Sequence, residues 1–295
     1  MLAYKPHKGA IFQVAFAPDG ASVATCGPVP AVCVADAATG KVRWRHDIEP
    51  SAGPGLGLAY SPDGTRLAVV SWTAAIVFDV ASGALRHTHP GRGCGIAFTP
   101  GGSAVVTGAP SPYRGARRTA LETGTTEPID HLGEITTFNR FRYSPDGRLL
   151  AALAPHYGQA VNVLDARTGA LVARAVGSHH TAGVGTLAFH PRASVLVYSG
   201  GPRLVAYDFR TRDPIAERVR SKKYVQDAAF TPDGRHLLTV SNDATAVLWE
   251  TAEWTEVREF AWDIGPLKSV AVAPDGGRAV CASDRGRVVV WDLDL

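Results

Sequence analysis

Apolar residues in this chain come in short runs separated by polar turns, and the same order of events recurs from one end to the other. Ile11–Phe16, Leu67–Val70, Ile76–Phe78 and Val288–Trp291 are rich in β-branched and aromatic residues and predict strands. No stretch sustains a helical period with caps. Turns of the form Pro-Asp-Gly or close variants begin at Pro18, Pro62, Pro100, Pro145, Pro191, Pro232 and Pro274, at intervals of 38 to 46 residues. In such a turn proline presets φ, Asp can bond its own backbone and Gly supplies φ > 0. Seven units therefore fill the 295 residues with almost nothing left over.

Aligning the first strands on these prolines gives two columns. One reads Phe16, Tyr60, Phe98, Tyr143, Phe189, Phe230 and Val272, and the column before it Ala15, Ala59, Ala97, Arg142, Ala188, Ala229 and Ala271. Neighbouring side chains on a strand face opposite sides of the sheet, so each unit has one bulky and one small face. Stacked around a ring, large fits against small. Arg142 departs from the pattern, and because a buried unpaired guanidinium is costly, an acceptor is expected beside it.

Two units carry a further signature. Val247–Glu250 ends in Trp249-Glu250, with Thr239-Val240-Ser241-Asn242-Asp243 upstream, and Val290–Asp292 ends in Trp291-Asp292. With this order the chain resembles the WD40-repeat β-propellers over its full length. The likeness is strong in the last two units and degenerate elsewhere, where the tryptophan position holds Ala35, Phe78, Leu121, Leu164 and Tyr207. It implies an all-β fold: a seven-bladed β-propeller of four-stranded antiparallel blades, each of about 40–45 residues. Residues 1–295 are expected to form one such domain. The last unit stops after its third strand, so Leu2–Lys5 is expected to supply the fourth, closing the ring and removing an exposed edge.

Composition fits a soluble globular chain, 45% hydrophobic and 19% charged. Met1–His7 lacks the basic and apolar segments of a signal peptide. No apolar run approaches the roughly 18–20 residues that span a membrane. Cys26, Cys33, Cys94 and Cys281 lack metal-ligand spacing and read as free buried thiols in a reducing compartment. Arginine outnumbers lysine and Ala, Gly and Pro abound, pointing to a bacterial, cytoplasmic protein. On its own the chain is expected to be monomeric.

Candidate chemistry is sparse. The chain has no Gly-x-Ser-x-Gly elbow, His-Glu-x-x-His or Walker loop. His179-His180 has no local carboxylate or cysteine to complete a metal site. The resemblance implies that propeller ligands sit at the channel mouth, where the ring reads Gln13, Gly57, Gly95, Arg140, Thr186, Asp227 and Ser269. One carboxylate in seven is a poor cradle for a hard cation. No metal or cofactor is expected, and a non-enzyme is the leading reading. The resemblance also implies a structural hydrogen-bonded set within a blade, here Ser221, Thr239, Asp243 and Trp249, with a partial counterpart in His7 and Thr25.

It implies, too, that partners bind the face carrying the loops into first strands and those joining second to third strands. On this face the chain offers Trp72, Tyr113, Arg114, Arg140, His156, Tyr157, Lys222, Lys223, Tyr224 and Trp262. Aromatic side chains with Arg and Lys are the residue types of interaction hot spots. The leading expectation is a protein or peptide scaffold, its basic loops favouring an acidic segment. A second reading is nucleic-acid binding through Arg114, Arg117, Arg118, Arg220, Lys222 and Lys223, with Tyr113 and Tyr224 for stacking. A net charge of only +3 weighs against it. A third reading is a channel site for a small molecule around Arg140, Arg142 and Asp227.

Overall fold

The computed structural model describes residues 1–28, 32–48, 53, 55–90, 92–108, 115–129, 140–154, 160–176, 185–220 and 223–295. Among them Tyr113, Arg114, His156, Tyr157, His179, His180, Ser221 and Lys222 do not appear. Seven four-stranded antiparallel sheets follow one another in chain order. Their inner strands are Gln13–Phe16, Gly57–Tyr60, Arg92–Phe98, Arg140–Tyr143, Leu187–Phe189, Val225–Phe230 and Leu267–Val272. We number the blades 1 to 7 accordingly. Blade 7 has only three strands from its own segment, and Leu2–Tyr4 completes it, pairing Leu2 with Val290 and Tyr4 with Val288. The expected closure by the amino-terminal strand is thus present.

Each apolar cluster belongs to two blades rather than one. Phe78, Leu67 and Leu58 of blade 2 pack on Ala24, Val32 and Val34 of blade 1. Six further clusters repeat this at the other blade junctions, the last joining Val280, Ala282 and Val290 of blade 7 to Val14, Phe16 and Val23 of blade 1. Burying one such Leu or Phe is worth about 1.5–3 kcal/mol, and none of it is gained by a blade alone. The large-against-small columns set the spacing. Ala15 shares a cluster with Tyr60, Ala59 with Phe98, Ala97 with Tyr143, Ala229 with Val272 and Ala271 with Phe16. Arg142 occupies the alanine position between blades 4 and 5, and its Nη1 donates to the Phe141 carbonyl at 3.0 Å, the acceptor the sequence required.

The turns close by side-chain chemistry. Ser61, Ser144 and Thr231 precede the Pro-Asp-Gly triplets, and their hydroxyls donate to Asp63, Asp146 and Asp233 at 2.5, 2.6 and 2.6 Å. Blade 5 has Pro191-Arg192-Ala193 instead, and His190 replaces the aspartate: its Nδ1 accepts from the amides of Arg192 and Ala193 at 3.0 and 2.9 Å. The acid after the tryptophan position caps the turn to the outer strand. Asp36 Oδ1 accepts from the amides of Ala38 and Thr39, Asp165 Oδ1 from those of Arg167 and Thr168 in blade 4, and Asp79 Oδ1 from that of Ser82 in blade 2.

One alignment is corrected. The tryptophan position of blade 3 is Thr119, not Leu121. Thr119 pairs with Val105 as Trp249 pairs with Leu237, while Leu121 donates to Ser103 O as Ala37 does to Ala21 O. Blade 3 has Ala120 where the other blades carry the capping acid, so its sequence lacks the landmark that fixes the register.

Candidate functional site

The predicted mouth ring is real, but its side chains face one another across blade boundaries. Asp227, at the head of blade 6, is almost wholly buried. Its Oδ1 accepts from Thr186 Oγ1 of blade 5 at 3.1 Å and from the Ala228 amide at 3.0 Å. Its Oδ2 accepts from Ser269 Oγ of blade 7 at 2.6 Å and from the Val270 amide at 3.3 Å. Arg140 of blade 4 completes the set, with Nη1 3.0 Å from Asp227 Oδ1. The remaining Arg140 bonds run to backbone, Nε to Gly185 O at 2.9 Å and Nη2 to Gln226 O at 3.1 Å.

The chain of bonds continues around the mouth. Ser269 Oγ accepts from the Val14 amide of blade 1 at 3.1 Å, and Gln13 Oε1 accepts from the Leu58 amide of blade 2 at 3.0 Å. Six blades are stitched this way. At blade 3 the ring residue is Gly95, where a Cβ would lie 2.9 Å from Arg140 Cα, so backbone packs on backbone in place of a side-chain bond. The sequence found these positions. It did not reveal that they bond to each other, because residues about 42 apart in the chain become neighbours only once the blades are stacked.

Arg140 was expected on the partner-binding face, yet it is buried and each of its three guanidinium nitrogens is engaged inside the ring. Trp262 likewise turns inward, its ring 4.6 Å from that of Trp291 and nearly parallel to Phe260 at 6.0 Å. Trp72 behaves differently: its side chain is 59% exposed. It follows the blade 2 strand whose end, Val70, pairs with the head of the inner strand at Gly57, so it stands at the mouth. Gly53, at φ +77°, packs under it so closely that a Cβ there would come 2.8 Å from the indole. Lys223 and Tyr224 are exposed at the entrance to blade 6. The other predicted surface residues, Tyr113, Arg114, His156, Tyr157 and Lys222, lie outside the described residues.

The basic side chains of the nucleic-acid reading are partly consumed. Arg220 Nε bonds Glu256 at 3.0 Å, its Nη2 pairs with Glu259 and its Nη1 donates to Thr245 at 3.1 Å. Arg118 Nη2 donates to Ala166 O at 2.8 Å. Of the structural set, Trp249 Nε1 donates to Thr239 Oγ1 at 2.9 Å, while Asp243 Oδ1 accepts from the Thr245 amide and hydroxyl at 3.1 and 2.7 Å. Ser221 lies outside the described residues. In blade 1 His7 Nε2 and Thr25 Oγ1 are 2.8 Å apart. Among the described residues no three His, Cys, Asp or Glu side chains gather to hold a metal ion, and no helix is long and apolar enough to cross a membrane. Cys33 and Cys281 are free and buried, Cys26 is buried, and burial pushes the Cys33 thiol up to about 11.

Seven antiparallel blades, clusters shared at every junction and closure by the amino-terminal strand define a seven-bladed β-propeller. A family model described as WD domain, G-beta repeat matches residues 216–250, the outer strand of blade 5 and most of blade 6. The chain is similar to the Target of rapamycin complex subunit wat1 of Schizosaccharomyces pombe, 25% identical over 52% of this chain and 48% of that protein. It is also similar to the Guanine nucleotide-binding protein subunit beta of Saccharomyces cerevisiae, 30% identical over 34% of this chain and 26% of that one. Actin-interacting protein 1 of Drosophila melanogaster matches 98% of the chain at 22% identity, over 48% of its own length. The chain thus spans about half or less of these curated relatives. These matches make the chain similar to WD40-repeat β-propellers.

Proposed function

We propose that this propeller is a non-catalytic protein-interaction scaffold that holds a protein or peptide segment on its mouth face. The observation that carries this reading is Trp72, a large indole left 59% exposed at the mouth while it is supported from beneath by Gly53. A pre-positioned aromatic side chain loses little conformational entropy on binding and can bury a large area. Tyr224 and Lys223 extend the same face, and Tyr113, Arg114, His156, Tyr157 and Lys222 are proposed to contribute to binding. The lysines and arginine favour an acidic segment. Two relatives named as subunits of larger assemblies support the scaffold reading. The non-catalytic reading rests on Asp227, the one carboxylate of the mouth ring, which is saturated by five donors and has no lone pair to spare as a base.

The test is affinity capture from the native lysate beside a Trp72→Ala/Tyr224→Ala variant of unchanged thermal stability. A defined protein held by the wild type and released by the variant supports the site. A partner held equally by both would remove Trp72 and Tyr224 from it, and oligonucleotide binding that falls steeply with salt would replace the scaffold by the nucleic-acid reading.

A further inference from the structure

Inside the mouth ring the channel is walled largely by apolar side chains, alanines among them. Ala15, Ala59, Ala229 and Ala271 line a chamber of about 370 Å³, and it adjoins a second of about 390 Å³ that shares Ala15, Ala59 and Ala271. Among the described residues lining either chamber, Arg142 is the single charged side chain, and it lines both. Its hydrogen bond to the Phe141 carbonyl engages one of the five N–H groups of a guanidinium. Among the described residues the carboxylate that acts on it is Asp227, whose charge is shared with Arg140 and whose oxygens are filled from the neighbouring blades. Burial, and after it the charge of Arg140, pull the Arg142 guanidinium down to about 10. A cation lining a largely apolar space, its nearest carboxylate already paired with another arginine, is a standing cost.

We propose that the channel is a binding site for a small monocarboxylate, its carboxylate paired with Arg142 and its short apolar tail against the alanine walls. The forked guanidinium matches a carboxylate with two parallel bonds. A phosphate would bring more charge than the one arginine lining the chambers can balance. The site is separate from the mouth face of the scaffold reading and stands whether or not that reading does.

The experiment is calorimetric titration and thermal shift of the full chain with butyrate, butyramide and inorganic phosphate at matched ionic strength. Butyrate is expected to bind and to raise Tm with the logarithm of its concentration. Neutral butyramide, of the same shape, should not bind. Arg142→Met, which keeps the length of the side chain and removes its charge, should weaken butyrate about tenfold or more, the worth of a charge-assisted bond. The same variant should melt higher than wild type in plain chloride buffer. No butyrate binding to wild type, equal binding of butyramide, tighter binding of phosphate, or unchanged affinity in Arg142→Met would each overturn the proposal. The butyrate–butyramide comparison decides it on the wild type even if the variant does not fold.

Discussion

Arg140 and Asp227 meet 3.0 Å apart at the channel mouth, so that blade 4 is tied to blade 6 over the head of blade 5. The two partners are not equivalent. Asp227 retains two hydroxyl and two amide donors if Arg140 is removed. Arg140 keeps only two carbonyls if Asp227 is removed. Asp227→Ala should therefore cost about 3–5 kcal/mol in a urea titration, the usual penalty for stranding a buried charge. Arg140→Met should cost distinctly less, and Arg140→Met/Asp227→Leu should recover part of the larger loss. Equal losses in the two single variants would show that the ring is not held by the pair.

Trp291 and Cys281 define a second prediction. Blades 6 and 7 place their tryptophans alike, but Trp249 Nε1 has Thr239 Oγ1 as acceptor, whereas Trp291 Nε1 is buried without a partner. Cys281 is the residue of blade 7 that corresponds to Thr239, each facing the equivalent residue of the third strand. Sulfur is a weak acceptor. Cys281→Thr should supply the missing bond and raise stability by about 0.5–1.5 kcal/mol. Thr239→Val should lower it by about 1–3 kcal/mol, since it strands the Trp249 N–H. Differential scanning calorimetry of both variants checks the pair, and a Cys281→Thr protein less stable than wild type would count against the assignment.

These two cases show what the sequence could and could not convey. The fold was legible because turn chemistry and the bulky–small columns repeat every blade, and a repeat read once applies seven times. Thr239 and Trp249 were legible because both lie in one blade, ten residues apart. The Arg140–Asp227 tie joins residues 87 positions apart across two blade boundaries, and no local pattern encodes it. Blade 3 was misaligned where Ala120 replaces the capping acid. Trp262 looked like a surface anchor because the sequence does not say that the face of Trp291 lies open beside it.

The capping carboxylates predict the acid limb of stability. Arg43 and the Thr39 hydroxyl hold Asp36 well below the usual carboxylate range, and Arg86 and the Ser82 hydroxyl do the same for Asp79. Asp63, Asp146 and Asp233 are lowered chiefly by the hydroxyls of Ser61, Ser144 and Thr231. A carboxylate whose pKa is depressed in the folded state contributes stability above its unfolded value, about 3.9 for Asp, and loses it as pH falls through the folded value. Tm should therefore be nearly flat from about pH 7 to 5 and fall steeply below about pH 4. Because blades 1, 2, 4, 5 and 6 each carry a turn carboxylate lowered in this way, one substitution should move the curve little. Asp36→Asn with Asp79→Asn should flatten the acid limb; an unchanged limb would mean that these turns do not govern it.

Trp72 separates binding from stability more cleanly than any other mouth residue. Its exposed indole belongs to none of the apolar clusters at the blade junctions, so Trp72→Ala should change unfolding free energy by no more than about 0.5 kcal/mol. If the indole is the anchor of the interaction face, the same change should weaken a captured partner by about 2 kcal/mol or more, roughly thirtyfold in Kd. Gly53→Ala gives an independent reading of the same contact. A methyl group at Gly53 would collide with the indole and strain a backbone held at φ +77°, displacing Trp72 without removing it. Binding should fall in this variant also, with a larger loss of stability than Trp72→Ala, and surface plasmon resonance beside urea titration measures both. A Gly53→Ala protein that binds as tightly as wild type would mean that the indole need not be held in place to be recognised.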